Sequence, residues 1–130
     1  MGSLKAQRFL TALEPQLDET SYEKLIRALF VGLFSPNSLD ISKPDVIRQI
    51  ATSSNVGLDG SLVEKAIEAS GSEEIKAKLV ANGKRVAEYG GFGLPTTVVH
   101  LPSRPEMVFG SDRIHIIGQM LGETKPAILN

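Results

Sequence analysis

The chain has 130 residues, enough for one domain or most of one, with 42% hydrophobic and 22% charged residues and a net charge of -1. A chain of this length buries about two thirds of its unfolded surface, so a genuine core is within reach. Basic residues are dispersed, which argues against a nucleic-acid partner, and the absence of cysteine excludes disulfides, thiolate metal sites and Cys-x-x-Cys redox chemistry within these residues.

His100 and His115 stand without ligand-like spacing, so no metal is expected. No window supplies the roughly 18 apolar residues of a membrane helix. The start "MGSLKAQRFL" has neither the apolar region nor the cleavage site of a signal peptide, and Ala6 occupies the position where a myristoylation motif takes Ser or Thr.

In chain order, residues 4–14 read as a short helix ended by Glu14-Pro15. "SYEKLIRALFVGLF" is the clearest helix. Tyr22, Leu25, Ile26, Leu29, Phe30, Leu33 and Phe34 repeat at helical spacing, a stripe wide enough for core, with a dimer interface as the alternative. "SPNSLDISKP" is a loop. Ser42 is expected to cap the next helix, with Pro44 in its first turn and Val46, Ile47, Ile50 and Ala51 inward. Asp59 then caps a helix, and Leu58 and Val63 fall at the two positions of a hydrophobic staple. Gly71 closes it and Ser72 opens another, with Glu73 and Glu74 at its positive end and Ile75, Leu79, Val86 and Tyr89 along one face.

At "EYGGFGLPTTVVH" the period falls from 3.6 to 2. Gly90 or Gly91 ends the helix in the left-handed region, and Pro95, lacking a ladder donor, belongs at the start of a strand. "TTVVHL" and "EMVF" predict a hairpin across "PSRP", and "GSDRIHIIGQML" a last helix with Ile114, Ile117, Met120 and Leu121 inward. Two strands alone are marginal in water, so the hairpin is expected to be completed by another polypeptide or by more of a longer protein.

Two elements carry chemistry. If the Leu94-Pro95 bond is cis, the Leu94 backbone turns outward and can pair with an extended peptide. Ser111 is a natural N-cap, a helix N-terminus attracts carboxylates, and Asp112 can accept a bond from an amino group. A ligand with both an α-carboxylate and an α-amino group uses both features.

Together, "YGGFGLPTTVV" and "MVFGSDRIHIIGQMLGE" resemble the C-terminal end of kappa-class glutathione S-transferases, relatives of the disulfide-forming thioredoxin-like oxidoreductases and of chromene-carboxylate isomerases. "GSLKAQRFLTAL" is similar to that family's entry into its helical insertion, so the resemblance spans essentially the whole chain. It implies an α/β, thioredoxin-like fold with a helical insertion. The N-terminal strand-helix-strand unit is expected to be missing here, leaving a mostly α chain with a C-terminal β-hairpin and final helix. Residues 1–88 would be the insertion with its connecting helix, and 89–130 the thioredoxin-like segment.

The resemblance implies glutathione as co-substrate, with its thiolate transferred to a small electrophile or used to reduce a peroxide. The Leu94 backbone beside cis-Pro95 would pair with the cysteinyl part, and Ser111 and Asp112 would hold the γ-glutamyl end. A homodimer or an association completing the sheet is expected from the lone hairpin, no nucleic-acid or membrane partner is expected from charge and hydropathy, and the resemblance implies mitochondrial or peroxisomal residence, although no targeting signal is seen. The family's thiolate-stabilising serine lies in a turn after the first strand. "FSPNS", Phe34 to Ser38, follows a helix and is rejected as its substitute, so no catalytic residue is assigned and the chain alone is expected to be nearly inactive. The alternative is a non-catalytic truncated paralogue acting as an interaction module. A thiol-disulfide oxidoreductase shares the fold but requires cysteines that these residues do not contain.

Overall fold

The computed structural model describes residues 2–123, and the chain divides into two compact units, Met1–Val80 and Ala81–Asn130. The first unit is helical: α1 (Leu4–Leu13), a 3-10 turn (Glu14–Gln16), α2 (Glu19–Phe34), α3 (Pro44–Ala51) and α4 (Gly60–Ala69). Helix α5 (Glu73–Glu88) follows, then β1 (Thr96–His100), β2 (Pro105–Phe109), a second 3-10 turn (Ser111–Arg113) and α6 (Ile114–Met120).

In the first unit α1 packs on α4, and α3 on both α2 and α4. Phe9, Leu13, Leu25 and Val63 are its largest fully buried side chains, joined by Leu29, Ile41, Ile47, Ile50 and Ala51. The amphipathic period places these residues on single faces, and their burial is the main favourable term for a bundle of short helices. Ends are capped by side chains where the sequence allows. Asp59 accepts the Leu62 N–H at 3.1 Å and the Ser61 N–H at 2.9 Å, and Val63 and Leu58 join the core as the staple requires. The Ser72 hydroxyl accepts the Ile75 N–H at 3.3 Å to open α5. Between α3 and α4, Arg48 pairs with Glu64 through two nitrogens, one of them Nη2 at 3.0 Å.

Five local expectations are corrected. Glu14 stays helical (φ -45°, ψ -47°), because α1 passes into a 3-10 turn with Pro15 at its start, where a missing N–H costs nothing; the chain turns extended only at Leu17. Helix α2 begins at Glu19, two residues before the first residue of the stretch read as a helix, because Asp18 caps it through the Ser21 N–H. Ser42 does not cap α3. Its hydroxyl donates to Asp40 Oδ1 at 2.6 Å, and Lys43 stands at the cap without a side-chain bond, although Pro44 occupies the first turn as expected.

The stripe of α2 is narrower than its spacing suggested. Leu25, Leu29 and Gly32 are buried and Tyr22, Ile26 and Leu33 half-buried, but Phe30 and Phe34, one residue further around the helix, are 59% and 72% exposed with stacked rings 5.8 Å apart. In α6 only Ile117 and Met120 of the expected inward set are half-buried, while Ile114 and Leu121 are exposed; a seven-residue helix after a 3-10 turn has too short a face to cover four apolar side chains.

The second unit holds the hairpin. β1 and β2 are antiparallel, pairing Thr96 with Phe109, Val98 with Met107 and His100 with Pro105. Val99 and Val108 are buried on one face, and Phe109 is half-buried on the other. Both faces therefore carry apolar side chains.

Two outcomes test this account. Leu25→Ala should lower unfolding free energy by about 2–5 kcal/mol, read from urea denaturation, because it removes a fully buried side chain of the core cluster. The Asp59 carboxyl is held below its ordinary value, first by the Ser61 hydroxyl and then by backbone N–H donors. Its folded pKa is therefore below its unfolded one, so its contribution is full above the ordinary carboxylate range and is lost as pH falls through the lowered value. Asp59→Asn should show its largest loss in thermal midpoint near neutrality, and that loss should shrink as the solution is acidified.

Candidate functional site

The site is built from the two ends of the hairpin's outer loops. Helix α5 stops at a Schellman motif: the Gly91 N–H donates to the Val86 carbonyl at 3.0 Å and the Gly90 N–H to the Ala87 carbonyl at 2.9 Å. Gly90 is the left-handed residue (φ +80°), which settles which of the two glycines ends the helix. Gly91 is needed for a different reason. A Cβ there would lie 2.5 Å from Val86 Cγ1 and 2.9 Å from the Val86 carbonyl oxygen. Gly93 lets the loop lie against the Phe109 ring, where a Cβ would approach to 3.0 Å. The Phe92 ring packs on Phe109 at 4.6 Å, and the Thr96 hydroxyl donates to the Gly93 carbonyl at 2.6 Å.

This bracing presents Leu94 and Pro95. Their peptide bond is cis, and Leu94 is 83% exposed. Among the described residues, no backbone hydrogen bond engages the Leu94 N–H or carbonyl. Pro95 precedes β1, as its lack of a donor demands, and its carbonyl accepts the Gly110 N–H at 3.0 Å. That bond continues the ladder one step past the Thr96–Phe109 pair, so Ser111 and Asp112 follow at the same end of the hairpin as Leu94.

The geometry of "FGSDR" differs from a capped α-helix. Gly110 is the cap residue, with φ +98° and ψ +142°, and no side chain caps the turn. Ser111 therefore does not serve as N-cap. It begins a 3-10 turn that α6 continues, because the glycine conformation, open to almost no other residue, already turns the chain. Asp112 Oδ1 lies over Gly110, 2.5 Å from where a Cβ would stand. Ser111 and Asp112 are both exposed. The arrangement offers one carboxylate, one hydroxyl and a backbone unpaired among the described residues, which suits an α-amino acid or peptide end.

A model of the DSBA-like thioredoxin domain matches residues 1–122. The chain belongs to the DSBA-like thioredoxin domain family. Within it, the chain is 35% identical over 122 residues to glutathione S-transferase kappa 1 of Homo sapiens and 33% identical over 122 residues to the protein of that name from Rattus norvegicus. Each match covers 94% of this chain and 52% of the relative, so the chain spans about half the length of the curated relatives it matches. A thioredoxin-like fold that is mostly helical with a hairpin and closing helix is thus the fold of this family member.

The Ser35-Pro36 step follows α2, as its sequence position indicated, and the Ser35 N–H donates to the Val31 carbonyl at 2.9 Å in an ordinary helix end. Sequence reasoning missed the part played by Gly110. Its signal was present as a glycine directly before Ser-Asp at the end of a strand.

Gly110→Ala should cost roughly 1–3 kcal/mol, because alanine is strained at that conformation and its Cβ must push the Asp112 carboxylate aside. Amide chemical shifts at Thr96 and at 110–112 should move together, while those of the helical unit stay in place.

Proposed function

We propose that this chain contributes the glutathione-binding wall of a kappa-class-like glutathione transferase. The observation that carries the reading is the Pro95 carbonyl to Gly110 N–H bond, which holds an unpaired Leu94 backbone beside Ser111 and Asp112. The Leu94 N–H and carbonyl pair with the cysteinyl residue as an added strand. Asp112 accepts from the α-amino group of the γ-glutamyl end, and the Ser111 hydroxyl and the turn's N–H groups donate to its α-carboxylate. The names of the two relatives support glutathione over other peptides.

The reaction is attack by the glutathione thiolate on a small electrophile, forming a carbon–sulfur bond as the leaving group departs with the bonding pair. With a peroxide, two glutathiones yield the disulfide, an alcohol and water. The sulfur comes from glutathione, so the absence of cysteine is compatible with this chemistry. Leu94, Pro95, Ser111 and Asp112 bind and orient. None of them stabilises a thiolate by charge, so the 130-residue polypeptide alone has little turnover.

Calorimetric titration should give saturable glutathione binding at millimolar concentrations. Asp112→Asn should weaken it about 5- to 10-fold, the range of a charge-assisted hydrogen bond at an exposed site. A glutathione analogue without the α-amino group should bind the unaltered chain as weakly as glutathione binds the variant. Conjugation of a nitroaryl halide by the polypeptide alone should remain at the uncatalysed rate, and saturable turnover would overturn the inactivity of the isolated half-site.

A second reading, a non-catalytic interaction module, draws on the exposed Phe30 and Phe34 pair and on the hairpin's two apolar faces. It predicts a homodimer or larger assembly by native mass spectrometry and no glutathione binding. The transferase reading also accommodates a homodimer, so glutathione binding decides between them.

A further inference from the structure

A second concavity lies wholly within the helical unit and takes no part in the glutathione reading. It is an open groove of about 430 Å³ between α2 and the α3 segment, within the size range of small-molecule sites. Its apolar surface is formed by Val31, Leu39, Ile50 and Val56, and two of these are left in solvent, Val31 at 62% and Leu39 at 37% exposure. Gly32 lets α2 lie close against Ile50 at its floor, where a Cβ would stand 3.0 Å from the Ile50 side chain.

The polar rim has one sign. Lys24 and Arg27 line the α2 side, neutral Gln49 and Asn55 line the other, and no Asp or Glu among the described residues lines the groove. Arg27 is engaged by Glu23 at 3.7 Å through side chains that are both more than 70% exposed. Such a solvent-screened pair is weak and leaves the guanidinium available to a better partner. Lys24 forms no ion pair among the described residues.

The apolar lining is entirely aliphatic. Among the described residues no aromatic ring borders the groove, and the stacked Phe30 and Phe34 lie outside its lining. A flat aromatic ligand finds no stacking surface, whereas a flexible methylene chain fills an irregular aliphatic trough. Cations above that trough select the sign of the head group.

We propose that this groove binds a single-chain aliphatic carboxylate, its chain against Val31, Leu39, Ile50 and Val56 and its head group at Lys24 and Arg27. The site is independent of glutathione and needs no residue beyond the helical unit.

Decanoate below its micelle concentration is the probe, followed by amide chemical shifts of the full 130-residue chain. The expected result is saturable binding with the largest shifts at residues 24–35 and 49–56, at least 5-fold weaker binding of decanol, and no saturable binding of decylammonium. The double variant Lys24→Ala/Arg27→Ala, with circular dichroism confirming that it stays helical, should bind decanoate at least 5-fold more weakly and decanol unchanged. Equal binding of decylammonium, shifts centred on Phe30 and Phe34 instead of the groove, or an unaffected double variant would overturn the proposal. So would the absence of saturable decanoate binding. A competing aromatic carboxylate, 2-naphthoate, should bind more weakly than decanoate; tighter binding would overturn the aliphatic assignment.

Discussion

The site depends on one hydrogen bond, the Gly110 N–H to the Pro95 carbonyl. Proline cannot return a second bond, so this is the last rung the ladder can make at that end. It fixes both loops at once. Before it stands Leu94, whose backbone is left without a partner among the described residues, and after it stand Ser111 and Asp112. The glycines around this rung are there for space and turning. Gly90 turns the end of α5, Gly91 clears Val86, Gly93 clears Phe109 and Gly110 turns the chain into the 3-10 segment. Backbone specialisation in this stretch is therefore the means of exposing one residue's peptide groups in a fixed place.

The helical unit is organised differently. It has a filled core of aliphatic side chains around one phenylalanine, and its helix ends are closed by Asp18, Asp59 and Ser72. Phe9 belongs to the core, but Phe30 and Phe34 belong to the surface. This unit leaves an apolar face in solvent and carries a groove with a basic rim.

Much of this was legible in the residue order. The period change at the glycines located the hairpin, Asp59 with Leu58 and Val63 located a helix start, and the two C-terminal motifs pointed to the family. What was hidden depended on competition between neighbours. Ser42 looked like a cap until Asp40 took its hydroxyl, and Ser111 looked like a cap until Gly110 turned the chain one residue earlier. The α2 stripe counted apolar residues correctly but could not say that only the Leu25–Leu29–Gly32 line is fully buried. Spacing reveals which residues share a face. It does not reveal how much of that face a neighbour covers.

The central claim is that glutathione lies along Leu94 with its γ-glutamyl end at Ser111 and Asp112. Intermolecular nuclear Overhauser effects between bound glutathione and the labelled chain test it most directly. The account predicts contacts from the cysteinyl protons to Leu94 and from the γ-glutamyl protons to Ser111 and Asp112. Contacts in the reverse order along the hairpin end, or contacts confined to the helical unit, would contradict it.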